Sequence, residues 1–334
     1  MGRGTGADPR VSGGDEARAR PHDAVVARVD FGACVLLRED GALLAARARG
    51  KLMGPRKSLG NAMVVGDRVH FEPSGTPDAA GGEVVVSAVE PRRNWFSRRA
   101  SGHRAAEQVV AANLDQLVLV SSLADPEFSR GLADRVFCQA EHAGLPARLV
   151  LNKIDLAAQS PGTDPQGVLD DYALAGVPGH RVCAKTHEGI EELRHACLGR
   201  RSLFVGHSGV GKSTVLNELV KGLDLLEGAV NEKTGKGRHT TTAAVLVRPE
   251  PDFELIDTPG VRVFALWGIS PRDLDQAYHE FRPHLGSCRF RDCRHAGEPG
   301  CAVDAAASSG AIAPRRVASY RRLLEELEAE DRQG

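Results

Sequence analysis

One stretch of the chain has the composition of a phosphate-binding loop. Gly206-His-Ser-Gly-Val-Gly-Lys-Ser213 matches G-x-x-x-x-G-K-[ST] and lies between a predicted buried strand, 202–205, and a predicted helix that begins near residue 212. Glycines let backbone N–H groups surround phosphate oxygens, the lysine contacts the β and γ phosphates, and the serine hydroxyl ligates Mg²⁺. The pattern predicts a nucleotide site in which Lys212 is also catalytic and Ser213 is a magnesium ligand; its residues are Gly206, His207, Ser208, Gly209, Val210, Gly211, Lys212, Ser213 and Thr214.

A second turn follows another buried strand, Phe253–Ile256. In Asp257-Thr-Pro-Gly260, we expect Asp257 to hold the metal through water and Gly260 to offer its N–H to the γ phosphate. An isolated sequence of this kind is a common turn, but its position after a buried strand favours the nucleotide site.

A polar segment, Lys233-TGKGRHTT-Thr242, lies between these two motifs. It cannot pack a core, and we expect it to order when a γ phosphate and Mg²⁺ supply ligands. Thr240, Thr241 and Thr242 are equivalent candidates for a second magnesium hydroxyl, and Thr241 is the working assignment.

The water that attacks the γ phosphate needs an orienting side chain. The residue after the Asp257–Gly260 turn is Val261, which cannot orient water. We therefore assign this catalytic role to His239 as a hypothesis, against the alternative that His239 is an ordinary exposed loop histidine.

Two strand ends predict the choice of base. Asn152-Lys153-Ile-Asp155 follows the strand 148–151, and a carboxylate there can accept hydrogen bonds from guanine N1–H and N2–H₂, which adenine does not offer. The segment Val182-Cys-Ala-Lys-Thr186 follows the next strand and can supply a backbone N–H to guanine O6 through Cys183 or Ala184. Each motif alone is an ordinary turn, but four such motifs on strand ends indicate GTP rather than ATP.

Three cysteines and one histidine near the C-terminus have metal-ligand spacing. Cys288-x4-Cys293-x-His295-x5-Cys301 fits tetrahedral Zn²⁺ with no fifth donor nearby, which predicts one structural zinc ion per chain. A disulfide and separately buried cysteines are the alternatives. Cys34, Cys138 and Cys197 are interpreted as ordinary buried residues.

Three regions must position these motifs. Short apolar runs between residues 24 and 89, separated by Gly, Asp and Pro, predict a small OB-like β-barrel. Alternating strands and helices follow, which predicts a mostly parallel sheet with helices on both faces. We expect a disordered tail at 1–21, an RNA-binding OB-fold domain at 22–105, a nucleotide-binding α/β domain at 106–265 and an α-helical zinc-binding domain at 266–334.

Composition excludes some classes of protein. The 334 residues carry 43 Lys plus Arg and 44 Asp plus Glu, and the chain has no apolar run of about 18 residues and no apolar leader, so we expect no membrane span and a cytoplasmic protein. Residues 1–105 contain 17 basic and 12 acidic residues, a weak indication of nucleic acid. Aromatic residues are 4% of the chain, so we expect phosphate and shape contacts to dominate over base recognition at the barrel.

The order of the motifs resembles a circularly permuted GTPase, because Asn152–Asp155 and Cys183–Lys185 precede the phosphate loop. Together with the barrel and the cysteine-rich C-terminus, the chain resembles the ribosome small-subunit-dependent GTPase A family (RsgA, also called YjeQ) from about residue 22 onward. The resemblance implies GTP hydrolysis to GDP and phosphate, stimulated by the 30S subunit in late small-subunit maturation, with 16S rRNA as partner and a monomeric chain. Cys183 and His187 depart from the family's usual Ser and Gly, and Ser208-Gly209 stands where potassium-activated relatives carry Pro-Asn, so we expect no potassium dependence.

Two alternatives remain at this point. One is a GTP-regulated rRNA-binding module in which hydrolysis is incidental, which Val261 favours, and the other is a small-molecule kinase, which Asp155 disfavours.

Because the Asp257–Gly260 turn leads directly into the C-terminal region, we also expect nucleotide state to move the predicted zinc domain.

Overall fold

We describe the protein from a computed structural model. The structure describes residues 23–30, 33–48, 62–74, 84–100, 106–159, 163–220, 244–260 and 264–332. The predicted tail at 1–21, the segment 233–242 with His239 and Thr241, and Val261 lie outside the described residues.

The first five strands form a barrel. Strands β1 to β3 form an antiparallel meander, β3 pairs in parallel with β5, β5 pairs with β4, and β4 returns to β1. Apolar side chains such as Val26, Leu36 and Val86 fill its interior. This confirms the predicted small β-barrel, which has five strands; they are β1 Ala24–Val29, β2 Ala33–Leu37, β3 Leu43–Ala48, β4 Arg68–Pro73 and β5 Val84–Val89.

A hairpin that the sequence patterns did not predict follows the barrel. Strands β6 (Trp95–Arg99) and β7 (Glu107–Ala112) pair in antiparallel fashion, and the predicted domain boundary after residue 105 falls between them. The hairpin contacts the barrel at Gly66, where an added Cβ would lie 2.2 Å from the Ala112 carbonyl oxygen.

The central sheet has the strand order β10-β9-β8-β11-β13-β12, parallel except for β12. Odd-numbered side chains such as Leu117, Leu149 and Leu203 pack with the first two helices on one face. Their even-numbered neighbours Val118 and Phe204 pack with the next two helices on the other. The elements are β8 Gln116–Ser122, α1 Arg130–His142, β9 Ala147–Asn152, α2 Pro165–Ala173, β10 Gly179–Arg181, α3 Ile190–Cys197, β11 Arg200–Gly206, α4 Lys212–Leu219, β12 Val245–Glu250 and β13 Phe253–Asp257.

Local signals set the helix starts. The Ser129 hydroxyl accepts from the Leu132 N–H at the start of α1, and the Asp164 carboxylate accepts from two N–H groups at the start of α2, where proline occupies the first turn. These contacts satisfy N–H groups that have no partner inside the helix.

The barrel and the central sheet are continuous. The second half of β1 pairs with β12 at Arg28 and Val245, which makes one 11-stranded sheet. Arg201 also connects the two parts. Its guanidinium donates a hydrogen bond to the Gly66 carbonyl at 2.9 Å and forms an ion pair with Glu254 of the central sheet at 2.5 Å.

The C-terminal region consists of two 3₁₀ turns, Leu274–Ala277 and His279–His284, followed by α5 (Ala302–Ser308) and α6 (Pro314–Asp331). Tyr278, Phe281 and Tyr320 form the centre of its core. Helix α6 begins at Pro314, which is favoured in the first turn of a helix. Among the described residues, no helix has the length and apolar character needed to cross a bilayer.

A buried charge network attaches this region to α1. The Arg316 guanidinium pairs with Asp134 of α1 and with Glu280, and it lies 4.4 Å from the centroid of the Tyr278 ring. Asp134 also accepts hydrogen bonds from the Tyr172 and Ser319 hydroxyls.

Candidate nucleotide site and candidate metal centre

The predicted phosphate loop connects β11 to α4. Gly209 and Gly211 have φ angles of 89° and 84°, which favour glycine. An added Cβ at Gly211 would lie 2.4 Å from the Asn152 amide nitrogen, and one at Gly206 would lie 2.6 Å from the Val120 carbonyl oxygen. The loop therefore needs these glycines for its backbone shape and for close packing on the neighbouring strand ends.

Lys212 and Asp257 meet at the ends of two neighbouring strands. Strands β11 and β13 are parallel partners, so their carboxyl ends lie at the same sheet edge. The buried Lys212 ammonium forms an ion pair with Asp257. The two groups that we expect to contact the phosphates and the metal are therefore paired with each other in this structure.

The Asp257–Gly260 turn closes over the phosphate loop. An added Cβ at Gly260 would lie 3.2 Å from both the Cα and the N of Ser208. The Thr258 hydroxyl donates to the Phe204 carbonyl at 2.7 Å, which fixes the turn to β11. This arrangement brings the Gly260 backbone beside the loop that we expect to hold phosphates.

The remaining loop residues face solvent or the core as expected for a strand-to-helix turn. Ser213 and Thr214 are exposed in the first turn of α4, and Val210 is buried. The ring of His207 contacts the Ser208 carbonyl through Nδ1 at 2.7 Å.

Asn152 connects two loops. Its amide donates to the Val210 carbonyl at 2.9 Å, and its side-chain oxygen accepts from the Ala184 N–H at 3.2 Å. The residue is 2% exposed, and its side chain connects the phosphate loop to the 182–186 segment. The Ala184 N–H, one of the two groups predicted to contact guanine O6, thus donates to the Asn152 side chain in this structure.

Asp155 and Cys183 form a pair on the expected base side. The Cys183 thiol donates to the Asp155 carboxylate at 3.3 Å, and Asp155 is exposed. Lys153 has a φ angle of 60°, and its ammonium donates to the Asp125 carbonyl. The cysteine thus holds the carboxylate that is predicted to recognise guanine.

Cys288, Cys293, His295 and Cys301 form one cluster, with their donor atoms within 4.8 Å of one another. The distances from the His295 Nδ1 to the three sulfurs are 3.6, 3.7 and 3.4 Å. Tetrahedral zinc with bonds of about 2.3 Å to sulfur and about 2.0 Å to nitrogen separates S and N ligands by about 3.5 Å. The donor set and its spacing fit Zn²⁺, and the described residues place no disulfide there.

The sequence did not identify two residues that contact the cluster, Asp275 and Ala302. Asp275 lies behind the His295 ring, with its Oδ2 3.8 Å from Nε2, and its Oδ1 has no hydrogen-bond partner among the described residues. The Ala302 N–H donates to the Cys288 sulfur at 3.3 Å. A carboxylate behind a ligating imidazole fixes its orientation. No short-range pattern marks Asp275, because it reaches the cluster only through the fold.

Comparisons of the sequence and of the structure with known proteins find the same group of proteins. A family model described as RsgA GTPase matches residues 89–267. The small ribosomal subunit biogenesis GTPase RsgA 1 of Vibrio vulnificus is 42% identical over 265 residues, which are 79% of this chain and 74% of that protein. The crystal structure of YjeQ from Thermotoga maritima covers 92% of this chain and 98% of its own, with 30% identity and a TM-score of 0.66. YloQ, described as a circularly permuted GTPase, covers 96% of this chain and 99% of its own with 21% identity and a TM-score of 0.67, a likeness of fold alone.

Proposed function

The chain belongs to the RsgA GTPase family, and on that premise we propose how its regions act on the small ribosomal subunit. It hydrolyses GTP to GDP and phosphate and acts in small ribosomal subunit biogenesis. The alternative in which hydrolysis is incidental is not favoured, because the family is described as one of GTPases.

The observation that supports the proposed mechanism most strongly is the convergence of four motifs at one sheet edge. The phosphate loop, the Asp257–Gly260 turn, Asp155 and Cys183 all follow strands of the central sheet, and Asn152 ties two of these loops together. In parallel α/β sheets, ligands bind at the carboxyl ends of the strands. A circularly permuted GTPase domain accounts for this geometry, with the two guanine motifs placed before the phosphate loop in the sequence.

Each group has a defined task in this proposal. Lys212 binds the β and γ phosphates, Ser213 and Asp257 hold the metal, and Asp155 accepts from the guanine edge. Mg²⁺ supplies charge neutralisation on the phosphates when bound with GTP. His239 orients the attacking water and Thr241 provides the second magnesium hydroxyl; both lie outside the described residues.

The other regions bind the ribosome. We assign residues 22–105 to an OB-fold domain that contacts 16S rRNA, residues 106–265 to the GTPase domain and residues 266–334 to a helical domain that one Zn²⁺ stabilises through the four-residue cluster. The protein is a cytoplasmic monomer, and the 30S subunit stimulates its hydrolysis of GTP late in subunit maturation.

Phosphate release from GTP and from ATP, with and without purified 30S subunits at two salt concentrations, tests the proposal. We expect stimulation that is specific to GTP, requires 30S subunits and weakens with salt, because RNA binding releases counterions. Tight GTP binding without stimulation by 30S subunits would retain the nucleotide site and reject the proposed activator. A preference for ATP would reject the assignment of Asp155.

A further inference from the structure

The loop between the first two cysteines of the metal cluster presents an aromatic ring between two arginines. We refer to Arg289-Phe290-Arg291 as the 289–291 loop. The Phe290 side chain is 45% exposed, and the Arg289 guanidinium lies 5.5 Å from its ring centroid. Both arginines are exposed as well.

The charges of this loop are not neutralised within the described part of the chain. The nearby Arg282 and Arg294 form ion pairs with Glu141 and Glu328. For Arg289 and Arg291, by contrast, no ion pair with a described residue is found. A single exposed apolar side chain is unremarkable on a protein surface, but a solvent-facing ring beside two available cations is a specific chemical combination.

The backbone of the loop is fixed. Cys288 and Cys293 belong to the metal cluster at its two ends, the Arg289 N–H donates to the Gly300 carbonyl at 3.0 Å, and the Cys293 N–H donates to the Phe290 carbonyl at 3.3 Å. A partner therefore binds a preformed surface, and little conformational entropy is lost on binding.

We propose that the 289–291 loop binds single-stranded RNA. One unpaired base stacks on the exposed face of Phe290, and Arg289 and Arg291 contact the adjoining phosphates. Aromatic rings and guanidinium groups are the side chains that hold unstacked bases, and stacking tolerates any base because every base has a π face. A duplex hides its base faces and cannot use the ring, and an acidic peptide would use the charges without the ring.

The inference rests on the proposed function, because the small ribosomal subunit supplies the RNA. It adds a base-contacting site in the C-terminal region, whereas phosphate and shape contacts are expected for the barrel.

Four variants of the full-length, zinc-loaded protein test the site. They are Phe290→Ala, Phe290→Trp, the double change Arg289→Ala with Arg291→Ala, and the control Leu174→Ala, whose side chain is 49% exposed outside the C-terminal region. Binding is measured to a labelled oligoadenylate of about ten nucleotides, to an RNA duplex of the same length and to 30S subunits. Zinc content and GDP affinity verify that each variant is folded.

We expect Phe290→Ala to weaken binding to the oligoadenylate and to 30S subunits about tenfold, with an unchanged salt dependence, because only stacking is lost. Phe290→Trp retains affinity, and its added fluorescence is quenched by the stacked base. The double arginine variant lowers the slope of log K against log salt by about 1.4, or about 0.7 for each phosphate contact. Duplex binding and the Leu174→Ala variant show no change.

Equal oligoadenylate affinity for the wild type and Phe290→Ala would overturn the inference. A loss restricted to 30S subunits would also overturn it, since the loop would then contact a ribosomal protein. If the wild-type protein fails to bind 30S subunits, the proposed function fails, and the oligoadenylate comparison still decides the role of the loop.

Discussion

A thiol and a carboxylate lie side by side where the base of the nucleotide is expected. Cys183 donates to Asp155 over 3.3 Å, and a serine hydroxyl in the same position could donate the same bond. This hydrogen bond orients the Asp155 carboxylate, which must accept hydrogen bonds from two N–H groups of guanine. Without the bond to Cys183, the carboxylate is free to rotate.

We therefore predict that Cys183→Ser leaves GDP affinity within about twofold of wild type and that Cys183→Ala lowers it about fivefold, the equivalent of one modest hydrogen bond. A fluorescent GDP analogue measures both affinities. The buried Cys34, in the barrel, provides the matched control Cys34→Ala. Equal affinities for the serine and alanine variants would show that the thiol has no orienting role.

A second residue-scale prediction concerns the carboxylate behind His295. Asp275→Asn keeps the size of the side chain and removes its negative charge, so the imidazole loses the carboxylate beside its Nε2. We expect zinc to be released to a chelator about 10 to 100 times faster, as measured with a zinc-sensitive dye. Asp273→Asn, two residues earlier and bonded to Ser270, should release zinc at the wild-type rate.

At the scale of elements, Glu254 on β13 connects its two neighbouring strands of the central sheet, β11 and β12. It pairs with Arg201 at 2.5 Å and with Arg248 at 2.5 Å, and Arg248 also donates to the Arg38 carbonyl of the barrel. Burial raises the pKa of Glu254, but the charges and hydrogen bonds of the two arginines outweigh it, so the net pKa lies below its usual value.

This pKa shift predicts a pH dependence of stability. Because the folded-state pKa is lowered, the stabilisation from Glu254 is present above about pH 4.3 and is lost as the pH falls through the folded-state value. We predict that Glu254→Gln lowers the free energy of unfolding by about 2 kcal/mol at pH 7 and by less at pH 3. Urea unfolding at both pH values measures this difference. An effect of equal size at both pH values would show that the charge is not responsible.

The patterns that predicted these elements also explain which elements were missed. The five barrel strands are apolar runs bounded by turn residues, and the central strands are buried on both faces, so both kinds carry a strong signal. Strand β6 contains Arg98 and Arg99, and β7 contains Glu107 and Gln108, so their polar residues resemble a loop. The hairpin is stabilised by contacts such as that of Phe96 with Phe264, which no local pattern can indicate.

At the scale of the whole molecule, the attachment of the C-terminal region bears on how nucleotide state is transmitted. The sequence suggested that this region moves with the Asp257–Gly260 turn. The structure attaches it to α1 through Arg316, which is 3% exposed and pairs with two buried carboxylates. We therefore expect α1 and α6 to move together as one unit.

Hydrogen exchange provides the measurement. The amides of α1 and α6 should have the same protection with GDP and with a non-hydrolysable GTP analogue, while the amides of the phosphate loop change. If the protection of α6 alone differed between the two states, the contact between α1 and α6 would have to break during the nucleotide cycle.

Arg316→Ala should break this attachment. It leaves Asp134 and Glu280 buried without a cation, which costs about 3 to 5 kcal/mol. We expect urea unfolding to change from one transition to two, with the C-terminal region unfolding first. Arg315→Ala, an exposed neighbour, is the control and should unfold like the wild type.

The pairing of β1 with β12 has a consequence for how the protein is made. Strand β1 is among the first described elements to leave the ribosome, whereas the contact between Arg248 and Arg38 joins positions 210 residues apart. At about 5 to 20 residues per second, the second half of β1 waits on the order of ten seconds or more for its partner, with its hydrogen-bonding edge exposed. A nascent chain that stalls before β12 is therefore poised to join its β1 edge to another chain, and a fragment that ends after the barrel should self-associate.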